Sequence, residues 1–389
     1  MPCHRYSQRV TGARSGRGPQ PVAPRAQSGA ALIVALLVFA LCTALAVAME
    51  SEFNRFYQRA ANILVAEQAN AYLRGAEALA AMALQADYDM EDQDSPRDDL
   101  LMPLEPWAQV PPTPYPLDEG GWMTGCLRDL QGRFNLNGLA TRVERQESDS
   151  GSQTDKPRFT PAQAQFIRLL QALGEPQLSV QEASVITEAV TDWLDADTVP
   201  AFDGAEDDYY FGQTPGYRTG NRAMASVSEL RAVAGITPEL YWALEPWVTV
   251  WPQQSAKLNI HTAGSMVLRS LNADDDLSPL SVADGAALFE QQRSPGPGFA
   301  DMDAFFDTAV LAGKREQMVE TEQLLGESSS YFLLSAEVEV ADRRMRLYSV
   351  LQRSGRQVLA LARGNSIMDN SLENRGDKDQ CKIPPSLDW

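Results

Sequence analysis

An uncharged apolar run near the N-terminus constrains this chain more than any other feature. Residues 30–49 carry no charged side chain, and 20 residues in a helix match the thickness of one bilayer. Five arginines and no acid precede the run in residues 1–29, whereas Glu50 and Glu52 follow it. The positive-inside rule therefore predicts a single-pass inner-membrane anchor, with the leader in the cytoplasm and the body in the periplasm of a cell with two membranes.

The apolar run has two interpretations. A cleaved secretory signal would have a shorter apolar core and would be cut after a small residue such as Ala46 or Ala48. The run is long for that class of signal. We therefore favour a membrane anchor that the mature protein keeps.

The junction between the leader and the apolar run resembles a type IV prepilin leader. It reads Gln-Ser-Gly at 27–29 and continues into the apolar run at Ala30. The resemblance implies that a prepilin peptidase cuts between Gly29 and Ala30. Most members of that family have a glutamate at the fifth mature position, which a neighbouring subunit compensates, but this chain has Val34 there. The K-type minor pseudopilins are the subgroup that lacks this glutamate, and such a subunit needs no partner ahead of it.

A long helix is predicted to follow from the apolar run. Apolar residues continue at spacings of three and four, and no proline occurs between Ala30 and Pro96. This pattern predicts one amphipathic helix from about Ala30 to Gln85. An acidic stretch at 87–99 and several prolines at 103–116 predict a solvated linker, with one side of a cation site as the alternative.

The body combines strand patterns at its two ends with helical patterns between them. One strand is predicted at 121–129, and a meander of three strands at 331–340, 344–352 and 357–363. Helices are predicted at 161–172, 180–194, 227–233, 238–244, 263–271 and 282–291. The economical explanation is a helical region inserted between the first strand and the last three.

These patterns and the prepilin resemblance predict an α+β fold. It is a type IV pilin-like fold, a long N-terminal helix plus an antiparallel sheet, with a large inserted α-helical domain. The predicted segments are a leader (1–29), the N-terminal helix (30–86), a linker with the first strand (87–137), the inserted α-domain (138–325), the remaining strands (326–364) and a C-terminal extension (365–389).

Two further motifs carry a family resemblance. Asp-Leu-Gln-Gly-Arg-Phe-Asn-Leu-Asn at 129–137 and Leu-Asn-Ile-His-Thr-Ala at 258–263 are similar to segments of the general secretion pathway protein K family. The departures are the long leader, His261 where the family often has asparagine, and the C-terminal extension. The resemblance implies a minor pseudopilin that forms a tip complex with I-type and J-type pseudopilins and caps the pseudopilus that drives folded proteins through the outer membrane.

A DNA-binding function is the main rival. The segments 230–236 and 258–263 look like helix-hairpin-helix modules, in which a Gly-Ile turn presents backbone amides to a phosphate. However, residues 226–276 contain three bases against six acids, and the whole chain has a net charge of -19. Phosphate binding requires clustered lysine and arginine, so we expect no nucleic-acid partner.

An acidic cluster at 192–208 is the strongest candidate for a metal site. Seven acids and no base occur within 17 residues, and like charges at this density need solvation or a cation. The simpler interpretation is a frayed acidic helix end, and the spacing is not that of an EF-hand. The family resemblance implies structural calcium. The candidate ligands are Asp192, Asp195, Asp197, Asp203, Glu206, Asp207 and Asp208.

The remaining chemistry of the chain indicates a structural protein. The chain has two histidines, His4 and His261, which nearly excludes histidine-based catalysis and metal sites. Paired carboxylates could serve a glycosidase, but no aromatic-lined cleft can be identified. We therefore expect no enzyme. Cys126 and Cys381 are the two cysteines beyond the apolar run, and we predict a disulfide between them in an oxidising compartment.

Overall fold

A computed structural model describes residues 28–90, 114–118, 120–142, 158–293 and 298–365. Most of the leader, most of the predicted linker and most of the C-terminal extension, including Cys381, lie outside the described residues. The chain divides into two compact units, residues 1–64 and 65–389. Helix α1 (Ser28–Met90) passes through both.

In the first unit, the described residues form the beginning of α1. This part of the helix is long and apolar enough to cross a membrane, judged by its length and composition. Its apolar side chains are exposed, with Leu32 at 62% and Phe39 at 67%. Exposed side chains of this kind are what a lipid-facing helix presents. The predicted anchor is therefore one continuous helix.

The second unit is built on a five-stranded antiparallel sheet of spatial order β1-β2-β7-β8-β9. The strands are β1 (Tyr115–Pro116), β2 (Trp122–Asp129), β7 (Tyr331–Val340), β8 (Arg343–Ser354) and β9 (Gln357–Gly364). Ala341 and Asp342 join β7 to β8 with φ values of 48° and 59°, which is the left-handed turn that a tight hairpin requires. The predicted strand and the predicted meander are both confirmed.

One face of α1 packs on this sheet. The helix buries Ala69, Leu73, Ala76, Ala80 and Leu84, at intervals of three and four residues. They pack against apolar side chains of β2, β7 and β8. Because three of the five are alanines, the helix backbone can approach the sheet closely.

Near its end, α1 is held to β8 by an ion pair. We expected the helix to end near Gln85 and Asp87 to begin a solvated acidic stretch, but the helix ends at Met90 and Asp87 is 2% exposed. The Asp87 carboxylate accepts a hydrogen bond from the buried Arg353 guanidinium, which also donates to the Ser329 carbonyl at 3.3 Å. The solvated interpretation is wrong at Asp87 because its counter-charge comes from a strand more than 260 residues away.

The helical region lies between β2 and β7 in the chain. Its α-helices are α2 (Pro161–Ala172), α3 (Val180–Leu194), α4 (Asp207–Phe211), α5 (Pro238–Leu244), α6 (Ser265–Arg269), α7 (Val282–Gln292), α8 (Met302–Phe306) and α9 (Val319–Gln323). Short 3-10 helices occupy Leu136–Ala140, Val227–Ala232, Glu245–Trp247 and Arg315–Gln317. Two-residue parallel pairs join β3 (Phe134–Asn135) to β4 (Val248–Thr249), and β5 (Leu258–Asn259) to β6 (Leu325–Gly326). The predicted α+β fold with a helical region is confirmed.

The two sequence motifs meet where the helical region joins the sheet. Asp129, at the end of β2, accepts hydrogen bonds from the hydroxyls of Thr262 and Ser329. The Gln131 carbonyl accepts from the Asn259 amide at 2.9 Å, and a Cβ at Gly132 would lie 2.5 Å from the Thr262 carbonyl oxygen. These motifs therefore hold the fold together at a place where only glycine fits.

Candidate metal site in the acidic loop

Helix α3 ends in the acidic cluster, and Asp192 in its last turn organises the loop that follows. The Ala201 amide donates to both carboxylate oxygens of Asp192, at 3.2 and 3.1 Å. A Cβ at Gly204 would lie 2.0 Å from Asp192 Oδ2, so the loop can close on the carboxylate only with glycine at this position. Asp192 is fully buried.

Arg142 lies among three of the predicted carboxylates. Its Nη2 is 2.6 Å from Asp192 Oδ1 and 2.5 Å from Asp195 Oδ2, and its Nη1 is 3.9 Å from Asp197 Oδ1. Nη1 also donates to the Val199 carbonyl at 2.8 Å. One cation thus offsets part of the repulsion within the cluster. Arg142 could not be predicted from the acidic cluster alone, because it lies 50 residues before Asp192 in the chain.

Asp203 forms an ion pair with a second arginine, Arg158. Its Nη2 is 2.9 Å from Asp203 Oδ2 and 2.8 Å from Glu188 Oε1. The Asp203 amide donates to Glu188 Oε2 at 2.6 Å, which fixes the loop to α3. Arg158 also stacks on the Phe202 ring at 5.5 Å. Asp203 therefore already has a counter-charge from the protein.

Asp195, Asp197 and Glu206 form the part of the cluster that could hold a metal ion. One carboxylate oxygen from each lies within 4.8 Å of the other two. Asp195 and Glu206 are 9% and 4% exposed, and neither Asp195 Oδ1 nor Glu206 Oε1 has a hydrogen-bond partner. A buried carboxylate oxygen without a donor is costly, and a cation would satisfy it.

Burial also perturbs the titration of these carboxyls. It raises the pKa of Asp195 and of Glu206 above their ordinary values, and raises the pKa of Asp192 to about 7. For Asp192, the Ala201 amide and Arg142 oppose the effect of burial without cancelling it. The charged forms are therefore only partly compensated by the protein itself.

The donor set fits a hard divalent cation such as calcium. Three carboxylates offer oxygen ligands, and calcium takes six to eight oxygens in flexible geometry. Asn221 lies beside them: its Nδ2 donates to the Asp197 carbonyl at 2.9 Å, while its own Oδ1 is buried without a hydrogen-bond partner. Neither cysteine nor histidine belongs to the cluster, so softer metals are disfavoured.

The other two predicted ligands have different positions. Asp207 Oδ1 accepts from the amide and the hydroxyl of Thr219, at 3.1 and 3.0 Å, which holds the return of the loop. Asp208 is exposed in the first turn of α4. Of the seven candidates, the structure brings Asp195, Asp197 and Glu206 together, with Asp192 beside them. Metal binding by any of them stays a prediction.

The predicted processing and disulfide residues are only partly described. Gly29 and Ala30 lie in the first turn of α1, and cleavage between them stays a prediction. Cys126, in β2, is disulfide-bonded, whereas Cys42 in the apolar run is free. Because Cys381 lies outside the described residues, its pairing with Cys126 also stays a prediction.

Two of the three bases at 226–276, the region of the suspected DNA-binding modules, contact other parts of the protein. Arg269 donates to the carbonyls of Ala172 and Leu280, and Arg231 stacks on the Tyr241 ring at 5.8 Å. This arrangement favours a packing role for the hairpin-like segments.

A long N-terminal helix with an apolar first part, an antiparallel sheet and an inserted helical region are together typical of a pilin-type subunit. The family model described as "Type II secretion system (T2SS), protein K" matches residues 132–253. Type II secretion system protein K of Pectobacterium carotovorum subsp. carotovorum is 33% identical over 343 residues, covering 87% of this chain and 96% of that protein. The protein K of Pseudomonas aeruginosa is 34% identical over 332 residues, covering 85% and 90%.

A solved structure gives the same assignment. The crystal structure of the GspK-GspI-GspJ complex from the enterotoxigenic Escherichia coli type 2 secretion system contains a chain that is similar to this protein, with a TM-score of 0.64 and 26% sequence identity. The match covers 79% of this chain and 99% of that chain. The chain belongs to the type II secretion system protein K family. It is a minor pseudopilin of type II secretion, a structural component, and its family is not a family of enzymes.

Proposed function

We propose that this chain caps the periplasmic pseudopilus in a tip complex with the I-type and J-type minor pseudopilins, and so supports export of folded proteins across the outer membrane. The similar chain in the Escherichia coli structure is in a complex with GspI and GspJ. Val34 supports the terminal position, because a subunit without the usual glutamate leaves no carboxylate for a preceding subunit to compensate.

The surface for these partners is the side of α1 that faces away from the sheet. Leu79 and Met82 are each 54% exposed there, within the part of the helix that packs on the sheet. Exposed apolar side chains on one helix face suit a second amphipathic helix. The fragment 53–389 with Leu79→Arg and Met82→Arg should lose retention of the I-type and J-type pseudopilins in a pull-down.

The matched control is Val282→Arg, which changes another exposed apolar side chain at the start of α7. It should retain both partners. Loss of binding with the control, or full binding with the double variant, contradicts this surface. Failure of the unaltered fragment to retain either partner contradicts the tip complex itself.

The prepilin peptidase and the inner membrane are the other proposed partners. Cleavage between Gly29 and Ala30 would remove five arginines and leave 28 bases against 52 acids, a mature charge of -24. The body would then lie in the periplasm. Mass spectrometry of the membrane-extracted protein should show Ala30 as the first residue. An intact N-terminus, or a cut after Ala46 or Ala48, contradicts the proposal.

We propose in addition that Asp195, Asp197 and Glu206 bind a structural calcium ion. The observation that supports this is the pair of buried carboxylates with unpartnered oxygens in the cluster. When bound, the ion would supply positive charge that joins the end of α3 to the start of α4. A cation that binds only the folded state stabilises it by mass action.

Calcium should therefore raise the melting temperature of the fragment 53–389, and magnesium at equal concentration should do much less. Asp195→Asn with Asp197→Asn should abolish the calcium-dependent shift. Asp208→Asn is the matched control, because that exposed acid lies outside the group of three, and the shift should persist. No calcium binding by calorimetry, or a shift that survives the double substitution, would leave the cluster as an acidic surface only.

A further inference from the structure

The face of the sheet opposite α1 carries a continuous row of paired residues. Cys126 in β2 lies opposite Ser335 in β7, Ser335 lies opposite Tyr348 in β8, and Tyr348 lies opposite Gly364 in β9. Directly paired residues of an antiparallel sheet share one face. Their neighbours along β7 pack against α1, so this row belongs to the other face. Ser335 and Tyr348 are buried there.

A second row on this face is also buried and incompletely bonded. Thr124 lies opposite Glu337, and they are 3% and 1% exposed. Neither Thr124 Oγ1 in this row nor Ser335 Oγ in the first row has a hydrogen-bond partner. Buried hydroxyls normally have partners, because leaving them unpaired is costly. This part of the face is therefore suited to a segment that offers backbone polar groups.

An apolar cavity lies at the β9 end of the first row. Its volume is ≈ 220 Å³, and its lining includes Leu333, Tyr348 and Val350 of the sheet, Trp251 of the helical region, and Gly364. Gly364 is the last residue of β9, so the chain leaves the sheet at the edge of this cavity. The next apolar side chains along the sequence are Ile367 and Met368.

We propose that residues 366–381 cross this face of the sheet, with Ile367 and Met368 in the cavity and Cys381 bonded to Cys126. The row spans three strand spacings, about 14 Å. Fifteen residues separate Asn365 from Cys381, enough to span about 50 Å, so the chain is long enough to reach Cys126. The terminal extension is thus an integral layer of the pilin-like body.

The cysteine inventory supports this occupant. Cys126 is disulfide-bonded, Cys42 is free, and Cys3 belongs to the leader on the other side of the membrane segment. Formation of the bond removes two protons and two electrons from the two thiols. A periplasmic protein disulfide accepts them by thiol–disulfide exchange and becomes a dithiol.

The first experiment uses the full mature chain, purified in detergent without reductant. Proteolysis and mass spectrometry should recover one peptide pair that joins Cys126 to Cys381. A free thiol at Cys126, or its linkage to any other cysteine, overturns the proposal. This measurement needs no substitution, so it does not depend on the folding of a variant.

The second experiment measures whether the extension covers the face. In a chain with Cys126→Ser and Cys381→Ser, the Ser335→Cys thiol should react with maleimide at least about tenfold more slowly than in the same chain ended at Asn365. Val282→Cys, at an exposed site, should react equally in both chains. Equal rates at position 335 overturn the proposal, and so does protection that disappears on dilution, which would indicate a second copy on this face.

The third experiment tests the cavity. Ile367→Asp with Met368→Asp should accelerate labelling at position 335 toward the rate of the shortened chain. Ser371→Asp, a polar position of the same extension, should leave the rate unchanged. Slow labelling in the double variant overturns the assignment of the cavity to these two side chains.

Discussion

The ion pair between Asp87 and Arg353 predicts an uneven sensitivity of α1 to loss of charge. Asp87→Asn keeps the size of the side chain but removes the negative charge that faces the buried Arg353 guanidinium. The two side chains are 1% and 6% exposed, and the guanidinium lies over the Phe332 ring at 5.3 Å. Water can therefore not replace the missing charge without disrupting the contact between helix and sheet.

Breaking one partner of a buried pair costs about 3 to 5 kcal/mol, because the remaining charge stays desolvated. Asp89 offers a matched control two residues along the same helix. Its partner Arg356 is 74% exposed, and exposed pairs contribute less than about 1 kcal/mol. Asp89→Asn should therefore be nearly neutral. The difference between these two variants isolates the effect of burial.

Urea unfolding of the fragment 53–389, followed by far-ultraviolet circular dichroism, measures both free energies of unfolding. A further variant, Asp87→Leu with Arg353→Met, removes both charges and should recover much of the loss. A cost below about 1 kcal/mol for Asp87→Asn, or equal costs for Asp87→Asn and Asp89→Asn, would refute the assignment of this pair as a buried anchor.

Three further outcomes follow from single side chains. Burial lowers the pKa of His261 to about 4 from 6.5, so the folded state favours the neutral imidazole. The neutral side chain therefore contributes fully to the free energy of unfolding above pH 6.5, and this contribution is lost as the pH falls toward 4. Between pH 7 and pH 5 the wild type should lose about 2 kcal/mol more than His261→Asn in urea unfolding, and parallel losses would contradict this. Gly132→Ala should cost about 1 to 3 kcal/mol through overpacking, whereas Gly138→Ala, where a Cβ meets nothing within 4 Å, should cost less; equal costs would argue against the tight joint. Gly204→Ala places a Cβ against the Asp192 carboxylate and should weaken calcium binding by at least about tenfold in calorimetry, and unchanged affinity would separate this loop from the metal site.

Elements with strong local signals were predictable from the sequence. Helices α2 and α3 begin and end where the caps and apolar periodicity predicted, because Thr160 with Gln163 and Ser179 with Glu182 form complete capping boxes. The short helices α4, α8 and α9 were not predicted. Five residues carry too little periodicity to distinguish a helical turn from a loop.

The candidate site shows a different limit. The density of acidic residues predicted where the site lies in the chain. It did not predict which acids form ion pairs with Arg142 and Arg158, or that Asp195, Asp197 and Glu206 form a group that could hold a metal ion. Arg142 and Arg158 lie 50 and 45 residues from their acidic partners, so no local pattern connects them. Asn221 is similarly separated from Asp197. Tertiary contact alone brings these groups together.

The hydrogen bond between Asp129 and Ser329 has a topological consequence. These residues are 200 positions apart, yet their side-chain oxygens are 2.7 Å apart. Asp129 is the last residue of β2 and Ser329 lies just before β7, the antiparallel neighbour of β2. A short turn between those strands would close an ordinary β-hairpin. The helical region is thus an insertion in the loop of a β-hairpin. An insertion at this position can change in length without altering the register of β2 and β7.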